Sequence, residues 1–156
     1  MRKVIAILLA LGIMIVGTGL VHAATLEVNV GVQSDLSMGL DKASLTYTNV
    51  KPGVASEKQT VTATTTGGSS YQLTLTGATF NTTGGTAPAN ALQFKDSGLP
   101  DTSFKGASAS AQNILSVAGN ATSDGDEKSF DLRVLFPLGS KDGNYATTIT
   151  ITAAPQ

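Results

Sequence analysis

Cysteine and tryptophan are absent from this 156-residue chain, and its one histidine, His22, lies near the N-terminus. Without cysteine there is no disulfide brace, no thiolate nucleophile, no cysteine-based zinc site and no lipid attachment through a cysteine. Histidine is the commonest general base near neutral pH, so its absence beyond position 22 removes the usual centre of acid–base and nucleophilic chemistry. A carboxylate pair or a serine with a lysine base is what remains open, and the expectation is that the chain is not an enzyme. Aromatics make up only 5% of the residues and charged residues 13%, and the few basic residues are scattered. Such a chain has no basic stripe to neutralise phosphates, which excludes nucleic acid as a partner. No Gly-rich loop follows a strand and opens a helix, so a nucleotide cofactor is not expected, nor is any other.

The one long apolar run lies at the start. Met1-Arg2-Lys3 is followed by an apolar stretch from Val4 to Leu20, then by Val21-His22-Ala23. A basic start, an apolar centre, and small residues at the third and first positions before a cut are the features of a signal peptide, here residues 1–23. Gly17 and Gly19 weaken the run as a spanning helix. The expected product is a secreted protein that begins at Ala24 and keeps no membrane segment. Removing 23 of 156 residues leaves 133, enough for one domain with a core that needs no cross-link. Arg2 and Lys3 are two of the ten basic residues, so eight then face eleven acidic ones and the mature chain is mildly acidic.

Beyond residue 23 the chain reads as β-structure throughout. Leu26, Val28, Val30 and Val32 alternate with Thr25, Glu27, Asn29 and Gly31, the period of a strand with one buried face. The alternation returns at Leu45 and Tyr47, at Val61 and Ala63, and at Tyr71, Leu73 and Leu75. Later it runs through Ile114, Leu115 and Val117, through Phe130, Leu132, Val134 and Phe136 around Asp131 and Arg133, and through Tyr145, Ile149 and Ile151. Lys51-Pro52-Gly53-Val54 has the residues of a type II turn, Thr66-Gly67-Gly68-Ser69 reads as a tight hairpin, and Asp142-Gly143 as a turn before the last strand. Residues 81–90, rich in Thr and Gly, read as a long loop crossing between sheets. No segment has helical periodicity. About seven short strands so punctuated predict an immunoglobulin-like two-sheet β-sandwich. The expected organisation is a signal peptide at 1–23, an N-terminal strand and linker at 24–43, and a sandwich body at 44–156.

Several local patterns invite a functional reading and have a plainer one. Asp124-Gly125-Asp126-Glu127 starts like a calcium loop, but Lys128 stands where the next ligand belongs, so a solvated acidic turn and no metal are expected. The threonine ladders at 62–64, 74–76 and 148–150 fit the wet face of strands. Leu99-Pro100-Asp101-Thr102-Ser103 reads as a proline turn. Asn81-Thr82-Thr83 and Asn120-Ala121-Thr122 match the glycosylation pattern, which a Thr-rich chain meets by chance. Tyr47, Tyr71 and Tyr145 fall on buried-face positions and read as core.

In layout, with the start from Ala24 to Gln33, a body opening at Ser44-Leu45-Thr46-Tyr47-Thr48 and the ending Asp142-Gly143-Asn144-Tyr145, the chain resembles cysteine-free fimbrial major subunits, the alternate (class 5) chaperone-usher pilins. It departs from them at Ala146 and Thr147, where those pilins often carry a small residue and then glycine. The segment from Leu45 to Phe80 is also similar to other exported sandwich modules, including camelysin-type biofilm fibre proteins. The pilin resemblance implies a structural subunit of a cell-surface fibre or pilus. Its partner would be itself in a homopolymer, with a periplasmic chaperone before assembly, and its polymerisation strand would be Leu26, Val28, Val30 and Val32. The alternative is a monomeric surface or cell-wall-associated module that binds a glycan or serves adhesion through its loops.

Overall fold

The computed structural model describes residues 36–156 apart from 68, 69, 83, 84, 120, 122 and 123. The expected signal peptide and the strand of Leu26, Val28, Val30 and Val32 lie outside the described residues. The described chain is an all-β sandwich, as its alternation predicts.

Ten strands are present among the described residues: β1 (Ser37–Leu40), β2 (Gln59–Thr66), β3 (Tyr71–Thr76), β4 (Phe80–Thr82), β5 (Gly85–Ala87), β6 (Leu92–Asp96), β7 (Lys105–Gly106), β8 (Gln112–Val117), β9 (Asp126–Val134) and β10 (Thr150–Pro155). One sheet runs β1-β2-β9-β6-β7, the other β10-β3-β8, and β4-β5 is a small ribbon; the paired strands are antiparallel. The period of two places alternate residues in the core. Val61 and Ala63 of β2, Leu92 and Phe94 of β6, and Phe130, Leu132 and Val134 of β9 face Tyr71, Leu73 and Leu75 of β3 and Ile114 of β8 in one buried cluster. The threonines at 60, 62, 64 and 66 take the opposite face of β2, where the wet side was expected.

The Lys51-to-Val54 turn forms as expected. Gly53 has φ of 79°, the left-handed value that a type II turn needs at its third position, and the Val54 N–H donates to Lys51 O over 3.1 Å. Other expectations are corrected. The hairpin expected at Thr66-to-Ser69 would pair β2 with β3, but these strands lie in different sheets; Gly68 and Ser69 themselves lie outside the described residues. Residues 81–90 are not simply a loop: they hold most of the β4-β5 ribbon, where Phe80 pairs with Ala87 and both are buried. Within the expected linker, Ser37–Leu40 is an edge strand on β2, so the sheet begins before residue 44. Leu45 and Tyr47 alternate yet form no ladder, and Tyr145 and Ile149 precede β10 rather than belonging to it. Alternation reports which side chains face the core. Ladder pairing also needs a neighbouring strand at the right spacing. Among the described residues the segment around Leu45 has none, and the segment around Tyr145 meets β4 only in a single antiparallel bridge, where Ala146 and Asn81 exchange backbone hydrogen bonds of 2.9 Å.

Candidate functional site: an apolar cleft beside an unpaired strand edge

The two segments that alternate without forming a ladder flank the same opening. A cleft of about 930 Å³ is lined along one side by residues 42–50 and along another by 140–149, with Ile151 of β10 beside them. Its floor is the apolar interior of the sandwich: Val61, Phe80, Leu92, Phe130, Leu132, Val134 and Phe136. The aromatic side of the floor is organised by edge-to-face packing, with Phe80 and Phe136 ring centres 5.2 Å apart at 73°, and by Tyr145 tilted on Phe136 at 4.7 Å.

Side chains rather than a ladder hold the 42–50 segment. The Tyr47 hydroxyl donates to Leu132 O at 2.8 Å, and Gln59 Nε2 donates to Thr46 O at 2.8 Å. Burial pushes the Tyr47 phenol up to about 12. None of the backbone N–H groups from 43 to 49 donates to a backbone carbonyl among the described residues. The outer edge of β10 is likewise open among the described residues, since β10 pairs with β3 alone. Unpaired backbone donors and acceptors next to apolar side chains are what an added strand satisfies.

A second unusual arrangement lies on the outer face of the larger sheet. Register sets Thr60 of β2, Asp131 of β9 and Lys95 of β6 in one row across three strands. Asp131 was expected on the wet face. Instead Pro100, the short 3-10 turn Asp101–Ser103 and Phe104 fold over it, leaving the Lys95 and Asp131 side chains only 1% and 2% exposed. Lys95 Nζ stands 2.8 Å from Asp131 Oδ2, and Lys58 Nζ stands 3.1 Å from the same oxygen. Neither contact is aligned as a hydrogen bond, so both are contacts between charges. Thr60 Oγ1 donates to Asp131 Oδ1 at 2.7 Å. Burial would raise the Asp131 carboxyl, but Lys95, Thr60 and Lys58 together hold it below its ordinary value. Asp131 in turn raises Lys58.

In the acidic turn Asp124 and Glu127 are exposed, as a solvated turn predicts, whereas Asp126 is engaged. Asp126 Oδ2 accepts the Tyr71 hydroxyl at 2.8 Å, and Oδ1 accepts from Lys128 Nζ at 2.8 Å. Among the described residues no group of three or more His, Cys, Asp or Glu is placed to hold a metal. Of the three tyrosines expected in the core, Tyr71 is fully buried, while Tyr47 and Tyr145 are half-buried at the cleft. Neither the Asp131–Lys95 pair nor the full extent of the cleft was legible in the sequence. The only signal for the cleft was two alternating runs, around Leu45 and Ile149, with no spacing that assigns them partners. No protein-family model matches the chain, and no curated protein matches it.

Proposed function

We propose that the chain is an exported structural subunit of a cell-surface fibre, in which the strand of Leu26, Val28, Val30 and Val32 from one copy enters the cleft of the next. The observation that carries this reading is the apolar cleft bordered by an open β10 edge and by a 43–49 segment whose N–H groups lack backbone partners among the described residues. An entering strand with apolar residues on one face and polar ones on the other offers both complements at once. Burying four aliphatic side chains would contribute roughly 1.5 to 3 kcal/mol each before ordering costs, enough for a long-lived joint. Export follows from the basic start and apolar run of residues 1–23, with cleavage after Ala23 freeing the strand. A chaperone would hold the cleft until assembly.

Sedimentation of the mature protein, residues 24–156, tests the proposal. Polymer is expected, and deleting Ala24 to Gln33 or changing Val28 and Val30 to Asp should leave a folded monomer that binds the isolated strand peptide. A mature protein that stays monomeric at high concentration, with or without a chaperone, sinks it in favour of a closed binding module whose strand pairs within its own chain.

A further inference from the structure

The Lys95–Asp131 pair invites a chemical question that the fibre reading does not raise. Desolvating an ammonium and a carboxylate together is costly, and their attraction only partly offsets it. The pair lies away from the cleft, between two adjacent strands of one sheet that already hydrogen-bond to each other, so it is not needed to hold those strands in register. An amide in the same place would carry no charge at all.

We propose that Lys95 Nζ and Asp131 Cγ become joined by an amide bond in the folded protein, a covalent link between β6 and β9 in a chain that has no cysteine to make one. The reactants are already in contact at 2.8 Å, in a place water barely reaches, with the Phe104 ring centre 5.4 Å from Nζ. Proximity of this kind removes the entropic cost that makes the same condensation slow between free molecules. Each further group has a place in the step. The Asp101 carboxylate, 3.7 Å from Nζ, takes a proton from the ammonium and leaves a neutral amine. Leu99 O and Asp96 O accept from Nζ at 2.7 and 3.4 Å and orient it. The amine lone pair forms the N–C bond at Cγ, and the negative charge that builds on Oδ1 faces the Thr60 hydroxyl. Oδ2, beside the Lys58 ammonium, is the leaving oxygen. Ammonium plus carboxylate gives amide plus one water: two of the three ammonium protons depart with Oδ2, directly or relayed through Asp101 and Lys58, and no oxidant or metal is required.

The test is the intact mass of the full chain, purified after folding and then denatured. The expected mass is lower than that of the linear sequence by one water in addition to any signal cleavage, and proteolysis should yield a branched peptide joining Lys95 to Asp131. Lys95→Arg, which keeps the charge, should restore the full mass. Asp131→Asn should lose one ammonia instead of one water, and Asp101→Asn should slow the loss. A folded wild-type protein of full linear mass overturns the proposal and leaves Lys95 and Asp131 as a buried ion pair. A loss of water that persists in Lys95→Arg overturns it too. The fibre reading is untouched by either result, and failure to polymerise does not affect the mass.

Discussion

Tyr71 shows how one hydroxyl couples the two sheets. Its ring is fully buried in β3, yet its O–H reaches Asp126 at the start of β9 in the opposite sheet. Burial, with the hydrogen bond to Asp126 behind it, pushes the phenol up to about 12. The unfolded chain therefore ionises first, so the stabilisation is complete below pH 10 and declines as pH rises from there toward 12. Tyr71→Phe should cost about 1 to 2 kcal/mol at neutral pH through the lost hydrogen bond and should flatten the alkaline decline. Urea midpoints measured at pH 8 and pH 11 check both. Asp126 works in the other direction. Lys128, with Tyr71 assisting, holds its carboxyl below the ordinary value against the effect of burial, so its contribution is present above the normal carboxylate range and is lost as pH falls through it. Asp126→Asn should lower stability at pH 7 and make the acid side of the pH–stability curve less steep.

At the scale of elements, β6 matters more than its length suggests. It lies between β7 and β9, and Phe94 at its centre is fully buried against the interior. Phe94→Ala should therefore cost about 3 to 5 kcal/mol, since a removed ring leaves both lost burial and a cavity that the sheet cannot close. The Lys51-to-Val54 turn is a milder case. Gly53 sits at a positive φ, and a Cβ there would meet Leu138 Cδ2 at 2.5 Å. Leu138 is 84% exposed and free to swing aside, so the cost of Gly53→Ala should be mostly backbone, about 1 to 2 kcal/mol. Paired denaturation curves should show Phe94→Ala as clearly the larger loss, and the reverse order would mean that the turn is the stronger determinant of the sheet.

For the whole molecule, the cleft divides backbone that is laddered from backbone that is not. Amides in β2, β3 and β9 are tied to neighbours on both sides, whereas those from 43 to 49 are not. Hydrogen exchange on the body without residues 24–33 should be fast across 43–49 and slow through β3 and β9. Adding the 24–33 peptide should slow exchange at 43–49 and at the outer edge of β10 while leaving β7 unchanged. Peptide protection that appears at β7 instead would place the acceptor edge elsewhere.

Composition and alternation by themselves determined that this protein is all-β, that Val61, Ala63, Tyr71, Leu73, Leu75, Phe130, Leu132 and Val134 face a core, and that Pro52-Gly53 turns the chain. These are local facts: the pleat has a period of two, and glycine at positive φ is a property of one residue. Which strands pair was not local. β2 and β3 are consecutive in sequence but lie in different sheets, while β9 fits between β2 and β6 across long stretches of chain. β6 itself escaped notice because its alternation has only two apolar positions, Leu92 and Phe94, before Asp96 takes the next place on that face. Only the tertiary structure set Lys95 against Asp131 and closed the 100–104 segment over them. A charged side chain enters a buried position when the fold brings it a partner of opposite sign, and the partner here comes from 36 residues further along the chain. The cleft has the same origin. Leu45 and Ile149 announce that they face something apolar, but the unpaired edge between them exists only once both sheets are assembled.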